Sequence, residues 1–182
     1  MISNIAPMDA HSMEKMLDGF EFRTYEKGQA FARKGEYAKN MGFVTSGVLR
    51  AFFRGSDGTT YNKTFFKENS LIGAYSSLIT GQVNRIDIEC LTACEIWTSP
   101  YQSIVALYDE YPLVERFSRT LAERFFVSKE KREIQLVTLE AKERYAIFQQ
   151  EHPGLDQRIP QYHIASYLGI TPTQLSRIRA NK

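Results

Sequence analysis

The hydrophobic repeat changes period at Pro112, and this change divides the chain into a strand-forming part and a helix-forming part. Between residues 20 and 100, β-branched and aromatic clusters are cut at short intervals by Gly28, Gly35, Gly47, Gly58, Gly73 and Gly81. Such side chains favour a pleated, half-buried surface, and glycines admit the turns between strands, so the segment predicts an antiparallel β-roll or sandwich. Residues 44–53 and 59–66 flank Gly55, Ser56, Asp57 and Gly58, where the Asp-Gly pair supplies the positive φ that a tight hairpin demands. Residues 85–92 alternate between faces with Ile86, Ile88 and Cys90 inward, and residues 95–97 supply another short strand.

Beyond Pro112, Val114, Phe117, Leu121, Phe125 and Ser128 recur three or four residues apart, which predicts a long helix with one apolar stripe. The polar block at residues 129–133 interrupts that stripe before Leu136 and Leu139 resume it, and mixed charge of this kind reads as a solvated face. The stripe suits either packing against the β-part or pairing with a second copy. The small core of the β-part favours the second. A further helix over residues 139–150 turns Ala141, Tyr145 and Phe148 inward, and Pro153 with Gly154 ends it.

Composition bounds the function. Hydrophobic residues at 43% and charged residues at 24% of 182 fit a folded protein of one larger domain with a small appendage. No segment reaches the roughly 20 apolar residues of a membrane span and the N-terminus has no basic-then-apolar leader, so a cytoplasmic protein without a membrane partner is expected. A formal net charge of +2 does not mark the whole chain as a nucleic-acid binder. From Arg158 onward, however, Arg158, Arg177, Arg179 and Lys182 stand with no Asp or Glu, so the end of the chain is locally basic. Cys90 and Cys94 lack the C-x-x-C spacing of metal and redox sites and are expected as buried free thiols.

Residues 161–180 carry the features of two short helices crossing through a tight turn. Ile164 and Leu168 lie one turn apart on the first helix, and Leu175 and Ile178 three apart on the second, so their apolar faces can pack. Ala165 sits where the helices cross, and Gly169 permits the left-handed residue that ends the first. Thr171, Pro172, Thr173 and Gln174 then start the second helix, with Thr as cap, Pro at the first position and Gln closing a capping box. In a helix-turn-helix the N-terminal part of the second helix enters the major groove, which puts Thr173, Gln174, Ser176 and Arg177 near bases or phosphates of double-stranded DNA. Arg177 suits a guanine edge and Gln174 an adenine, while Thr171, Arg179 and Lys182 suit phosphates. A purely structural helical hairpin is the alternative.

Two stretches resemble the Crp/Fnr family of bacterial regulators. One is IASYLGITPTQLSR from Ile164, similar to the family's DNA-binding helix pair. The other is LIGA from Leu71, followed by TACEI from Thr92, similar to its phosphate-binding cassette. The resemblance covers about residues 20–182. It implies an α+β fold: an N-terminal antiparallel β-roll of the cyclic-nucleotide-binding jelly-roll type (1–110), a long dimerisation helix (111–137) and a C-terminal helix-turn-helix domain (138–182). It also implies a homodimeric transcription regulator on a roughly palindromic operator, with RNA polymerase and a small-molecule effector as further partners. In cyclic-AMP-binding members a Glu follows the cassette glycine and an Arg sits near its end. Here, after Gly73, those positions hold Ala74 and Asn84, with Arg85 one residue on, so cyclic AMP is not the expected effector. Ser76, Ser77, Asn84, Arg85 and Ser128 line another small-ligand pocket or pack without one.

No His falls between His11 and His152 and no N-terminal cysteine cluster occurs, which argues against haem, iron-sulfur and cupin-type metal chemistry. No catalytic constellation stands out, so neither an enzyme nor a cofactor is expected. The remaining alternative is a small-ligand or protein-interaction module whose helical hairpin no longer engages DNA. Pro172 occupies a position where family members place a DNA-contacting Arg, which implies a different operator. Little sequence follows Ala180, which leaves a wing in question.

Overall fold

The structure is a computed structural model, and it describes residues 5–180. Helix α1 (Ala10–Asp18) is followed by strands β1 (Glu21–Tyr25), β2 (Ala30–Ala32), β3 (Asn40–Ser46), β4 (Leu49–Arg54), β5 (Thr60–Phe66) and β6 (Leu71–Ile72). Helix α2 (Tyr75–Thr80) separates these from β7 (Asp87–Cys90) and β8 (Cys94–Pro100). The rest is helical: α3 (Tyr101–Val105), α4 (Pro112–Thr138), α5 (Ala141–Glu151), α6 (Leu155–Arg158), α7 (Gln161–Leu168) and α8 (Pro172–Ala180). The chain divides into two compact units. One holds the residues up to Ala51 with Phe65–Phe126, the other Phe52–Thr64 with the chain from Val127 on.

The strands form two four-stranded sheets, ordered β1-β8-β3-β6 and β2-β7-β4-β5, the roll that the glycine-punctuated pattern predicts. Antiparallel pairing sets Phe22 opposite Trp97 and Gly42 opposite Thr98. Strand alternation then decides which side chains meet. Val44, Leu49, Ala51, Ile72, Ile88, Cys90 and Ile96 fill the interior of the roll. Met41 on β3 faces the other way and joins a second core with Met16, Ile104, Val114, Phe117 and Leu121. Cys90 and Cys94 are buried free thiols, as their spacing suggested.

Two expectations need correction. Residues 44–53 do not form one strand, because β3 ends at Ser46 and β4 starts at Leu49. Gly47 sits between them at φ 98°, and a Cβ there would lie 2.4 Å from the Ala93 carbonyl oxygen, so the chain breaks where only glycine fits. The stripe of α4 assigned to a second copy is occupied within this chain. Val114, Phe117 and Leu121 are buried in the second core and Phe125 packs partly against it, while Ser128 is exposed. Each such side chain contributes about 1.5–3 kcal/mol by leaving water. On the later part of α4, Leu136 of the predicted stripe is exposed, together with Val127, Ile134 and Val137, the last 87% exposed.

The second unit has its own core, with Tyr145, Phe148, Leu155, Ile159, Ile164, Leu168 and Leu175 buried. Helix α5 begins two residues after Leu139, where Glu140 and Glu143 form a reciprocal capping box. The hairpin between β4 and β5 turns as its sequence predicts. Gly58 has φ 82°, and the Asp57 carboxylate accepts from the backbone N–H and hydroxyl of Thr59 at 3.0 and 2.7 Å.

Candidate functional site

Helices α7 and α8 meet as the local sequence requires. Ile164, Ala165, Leu168 and Leu175 are buried against one another's helices and α5, and Gly169 takes the left-handed conformation at φ 69° to end α7. At the start of α8, the Thr171 backbone N–H donates to Gln174 Oε1 at 2.9 Å and the Gln174 N–H donates to Thr171 Oγ1 at 3.2 Å. This reciprocal cap fixes where α8 begins. It also occupies Gln174 Oε1, so the bidentate adenine contact that Gln174 suits requires the cap to open.

The C-terminal end of α7 is also capped by arginines. The Tyr167 carbonyl accepts from Arg132, and the Leu168 carbonyl accepts from Arg144 Nε at 3.1 Å. These are the last carbonyls of the helix, where unpaired acceptors and the negative end of the helix dipole both favour cations. The Arg132 guanidinium also lies 3.9 Å from the Tyr167 ring centroid, over its face. Burial pushes the Tyr167 phenol above its usual range, partly offset by Arg132.

A third support comes from the hairpin. Ser166 Oγ accepts from the Asn62 backbone N–H at 3.0 Å and donates to the Thr60 carbonyl at 2.7 Å. The Asn62 side-chain amide donates to the His163 carbonyl at 2.9 Å and lies 3.4 Å from His163 Nδ1. Asn62 and His163 are both buried. Helix α7 is thus gripped by groups that sequence reasoning did not single out: Asn62, Arg132, Arg144, His163 and Ser166.

Held this way, the pair presents one face outward. Thr171, Thr173, Gln174, Ser176, Arg177 and Arg179 are all exposed, while Leu175 between them is buried. Neither Arg177 nor Arg179 has an ion-pair or hydrogen-bond partner among the described residues. Lys182 lies outside the described residues.

The cassette residues are arranged differently. Ala74 is buried in the interior of the roll, and Gly73 beside it is half-buried. Ser77 is buried, its Oγ accepting from the Ala38 N–H at 3.1 Å and donating to the Gln82 carbonyl at 2.6 Å. Asn84 is buried too, its amide donating to the carbonyls of Arg33 and Ile86 while its backbone N–H donates to Glu36 at 2.8 Å. These groups brace neighbouring loops, whereas the predicted ligand residues Ser76 and Arg85 are exposed. Ser128 belongs to the second unit, exposed on α4. The Thr92 end of the other stretch is structural, its hydroxyl accepting from the Val48 N–H at 2.9 Å. Among the described residues no group of three or more His, Cys, Asp or Glu could hold a metal ion, and no helix is long and apolar enough to cross a membrane.

A roll of two four-stranded sheets with a helix inserted after β6 is the form of a cyclic nucleotide-binding domain, and residues 22–111 match the family of that name, the cyclic nucleotide-binding domain. With the helices that follow, the chain has the fold of Crp/Fnr-like regulators. FixK2 from Bradyrhizobium japonicum superposes with a TM-score of 0.76 at 21% identity, covering 89% of this chain and 83% of its own. The c-di-GMP-responsive global regulator CLP of Xanthomonas campestris gives 0.74 at 16% identity, over 95% and 91% of the two chains. A regulator from Eubacterium rectale assigned to the Crp/Fnr family gives 0.73 at 16% identity, over 98% and 87%. No curated protein sequence matches at a significant level.

Proposed function

We propose that this chain is a cytoplasmic transcription regulator that binds double-stranded DNA as a homodimer, with α7 and α8 as its helix-turn-helix. One observation carries the reading: Thr173, Gln174, Ser176 and Arg177 are exposed on a helix whose other face is locked by buried Leu175. Arg177, free of partners among the described residues, reads a guanine edge, and Thr171, Arg179 and Lys182 hold phosphates. The exposed Val127, Ile134 and Val137 on α4, seven and three residues apart, provide the apolar seam for a second copy. The division into a roll (1–110), a connecting helix (111–137) and a DNA-binding part (138–182) follows from this reading.

Cyclic AMP is not its effector. Ala74 and Asn84 offer neither a carboxylate for a ribose nor a guanidinium for a cyclic phosphate, and Ser77 and Asn84 already satisfy their polar groups within the protein.

Selection of bound sequences from random duplex DNA tests the reading. It should return an inverted repeat whose half-sites lie about 34 Å apart, with affinity that falls steeply as salt rises. Arg177→Ala should cost about 1–3 kcal/mol on that site and relax the preference at one base position. Failure to enrich any sequence, or equal binding by variant and parent, would overturn the assignment. Binding to a protein or small molecule with weak salt dependence would then favour an interaction module in its place.

A further inference from the structure

The outer face of the first sheet, beneath α1, α3 and α4, holds a cavity of about 380 Å³ that none of Gly73, Ala74, Ser76, Ser77, Asn84 and Arg85 lines. Its walls are apolar, built by Met16, Phe20, Phe43, Leu71, Phe117 and Leu121. Packed interiors leave few voids larger than a water molecule, so a space of this size is not ordinary core packing. It falls at the lower end of the range for small-molecule sites.

Two features of the lining restrict what can enter. No charged side chain contributes to it, so a phosphate, carboxylate or ammonium would lose its hydration there without compensation. One end is polar but neutral. There Tyr75 and Tyr101, their rings 6.2 Å apart edge-on, line the space beside Ser118, and Tyr108 packs against the same core. Burial pushes all three phenols above their usual range, which keeps them uncharged. The opening is marked by Leu17, 44% exposed, and by Trp97, whose ring stands 5.6 Å edge-on from that of Phe22.

We infer that this cavity binds a neutral small molecule with an apolar body and one hydroxyl or carbonyl end, the body lying among the Met, Leu and Phe side chains and the polar end meeting Tyr75 and Tyr101. A bound molecule also touches α4 through Phe117, Ser118 and Leu121, the helix that continues to Thr138. The site is independent of the DNA-binding assignment and stands or falls separately.

Trp97, the single tryptophan of the chain, makes a local test available. The full chain is titrated with N-phenyl-1-naphthylamine, a neutral apolar fluorophore, and excited through Trp97. Saturable energy transfer at one dye per chain is expected, with 2-naphthol displacing the dye several-fold better than naphthalene. The sulfonated analogue 8-anilinonaphthalene-1-sulfonate should bind at least about tenfold more weakly, because its charge finds no partner in the lining. Thr45→Arg and Leu17→Arg each place a charge at the exposed mouth without touching the core. Both should weaken the neutral dye by about tenfold or more while the circular dichroism stays that of the parent. Absence of transfer from Trp97, equal affinity for the two dyes, or indifference to both variants would overturn the inference. So would binding that emerges only after residues 1–4 are removed, or that fades as the protein self-associates, since the occupant would then be the chain itself or a second copy.

Discussion

Replacing Ser166 by Ala tests how α7 is held, because one hydroxyl serves two backbone groups of the hairpin. It accepts from the Asn62 N–H at 3.0 Å and donates to the Thr60 carbonyl at 2.7 Å. A hydrogen bond contributes about 0.5–1.5 kcal/mol net, and a buried partner left unpaired costs about 1–3 kcal/mol. Ser166→Ala should therefore cost about 1–3 kcal/mol. Asn62→Ala removes the amide that donates to the buried His163 carbonyl at 2.9 Å and should cost a similar amount. The two residues belong to one network, so the double variant should cost less than the sum by about 0.5 kcal/mol or more. Amide hydrogen exchange along α7 in the full chain measures this locally, which matters because Trp97 reports on the other unit. Unchanged α7 protection in both single variants, or additivity within about 0.3 kcal/mol, would refute the latch.

Three further outcomes follow from the geometry. Arg144→Ala leaves the Leu168 carbonyl without its charged donor and should destabilise the second unit by about 1–2 kcal/mol in urea unfolding, a half-exposed arginine contributing less than a buried one. Gly47→Ala drives a methyl group into the Ala93 carbonyl at a positive φ and should cost about 2 kcal/mol or more, read as a lower thermal midpoint. The Asp9 carboxyl is held below its usual range, first by the Ser12 backbone N–H and then by the Ser12 hydroxyl, as it caps α1. A depressed folded-state pKa gives stability that is present above the unfolded value of about 4 and lost as pH falls through the folded one. The thermal midpoints of the parent and Asp9→Ala should accordingly differ at neutral pH and converge in acid.

How much of this was legible in the sequence depended on the distance over which each residue acts. The Asp57-Gly58 turn, the Gly169 stop and the Thr171–Gln174 cap are set by neighbours within four residues, and all three form as the sequence predicts. Gly47 was legible as a punctuation mark, but the reason for it lies across the roll at Ala93, so the strand it interrupts was drawn too long. The grip on α7 was not legible. Ser166 reaches a hairpin 104 residues away and Arg132 a carbonyl 35 residues away, and a serine in a helix or an arginine in a polar block carries no local sign of such a partner.

The long helix shows the same limit from the apolar side. Periodicity established that Val114, Phe117 and Leu121 turn inward, yet the same stripe fits a neighbour within the chain and a neighbour on another chain. Burial assigns it to the chain's own core, where Phe117 and Leu121 also wall the apolar cavity. The dimer reading consequently rests on the later half of α4, on Val127, Ile134 and Val137 with the exposed stripe residue Leu136. The helix then carries two separate duties along its length. Its first half closes a pocket that a neutral ligand could fill, and its second half offers the surface a partner would cover while Arg132 holds α7. An effector acting at the cavity would bear on the helix whose later turns carry Arg132, the residue that caps α7.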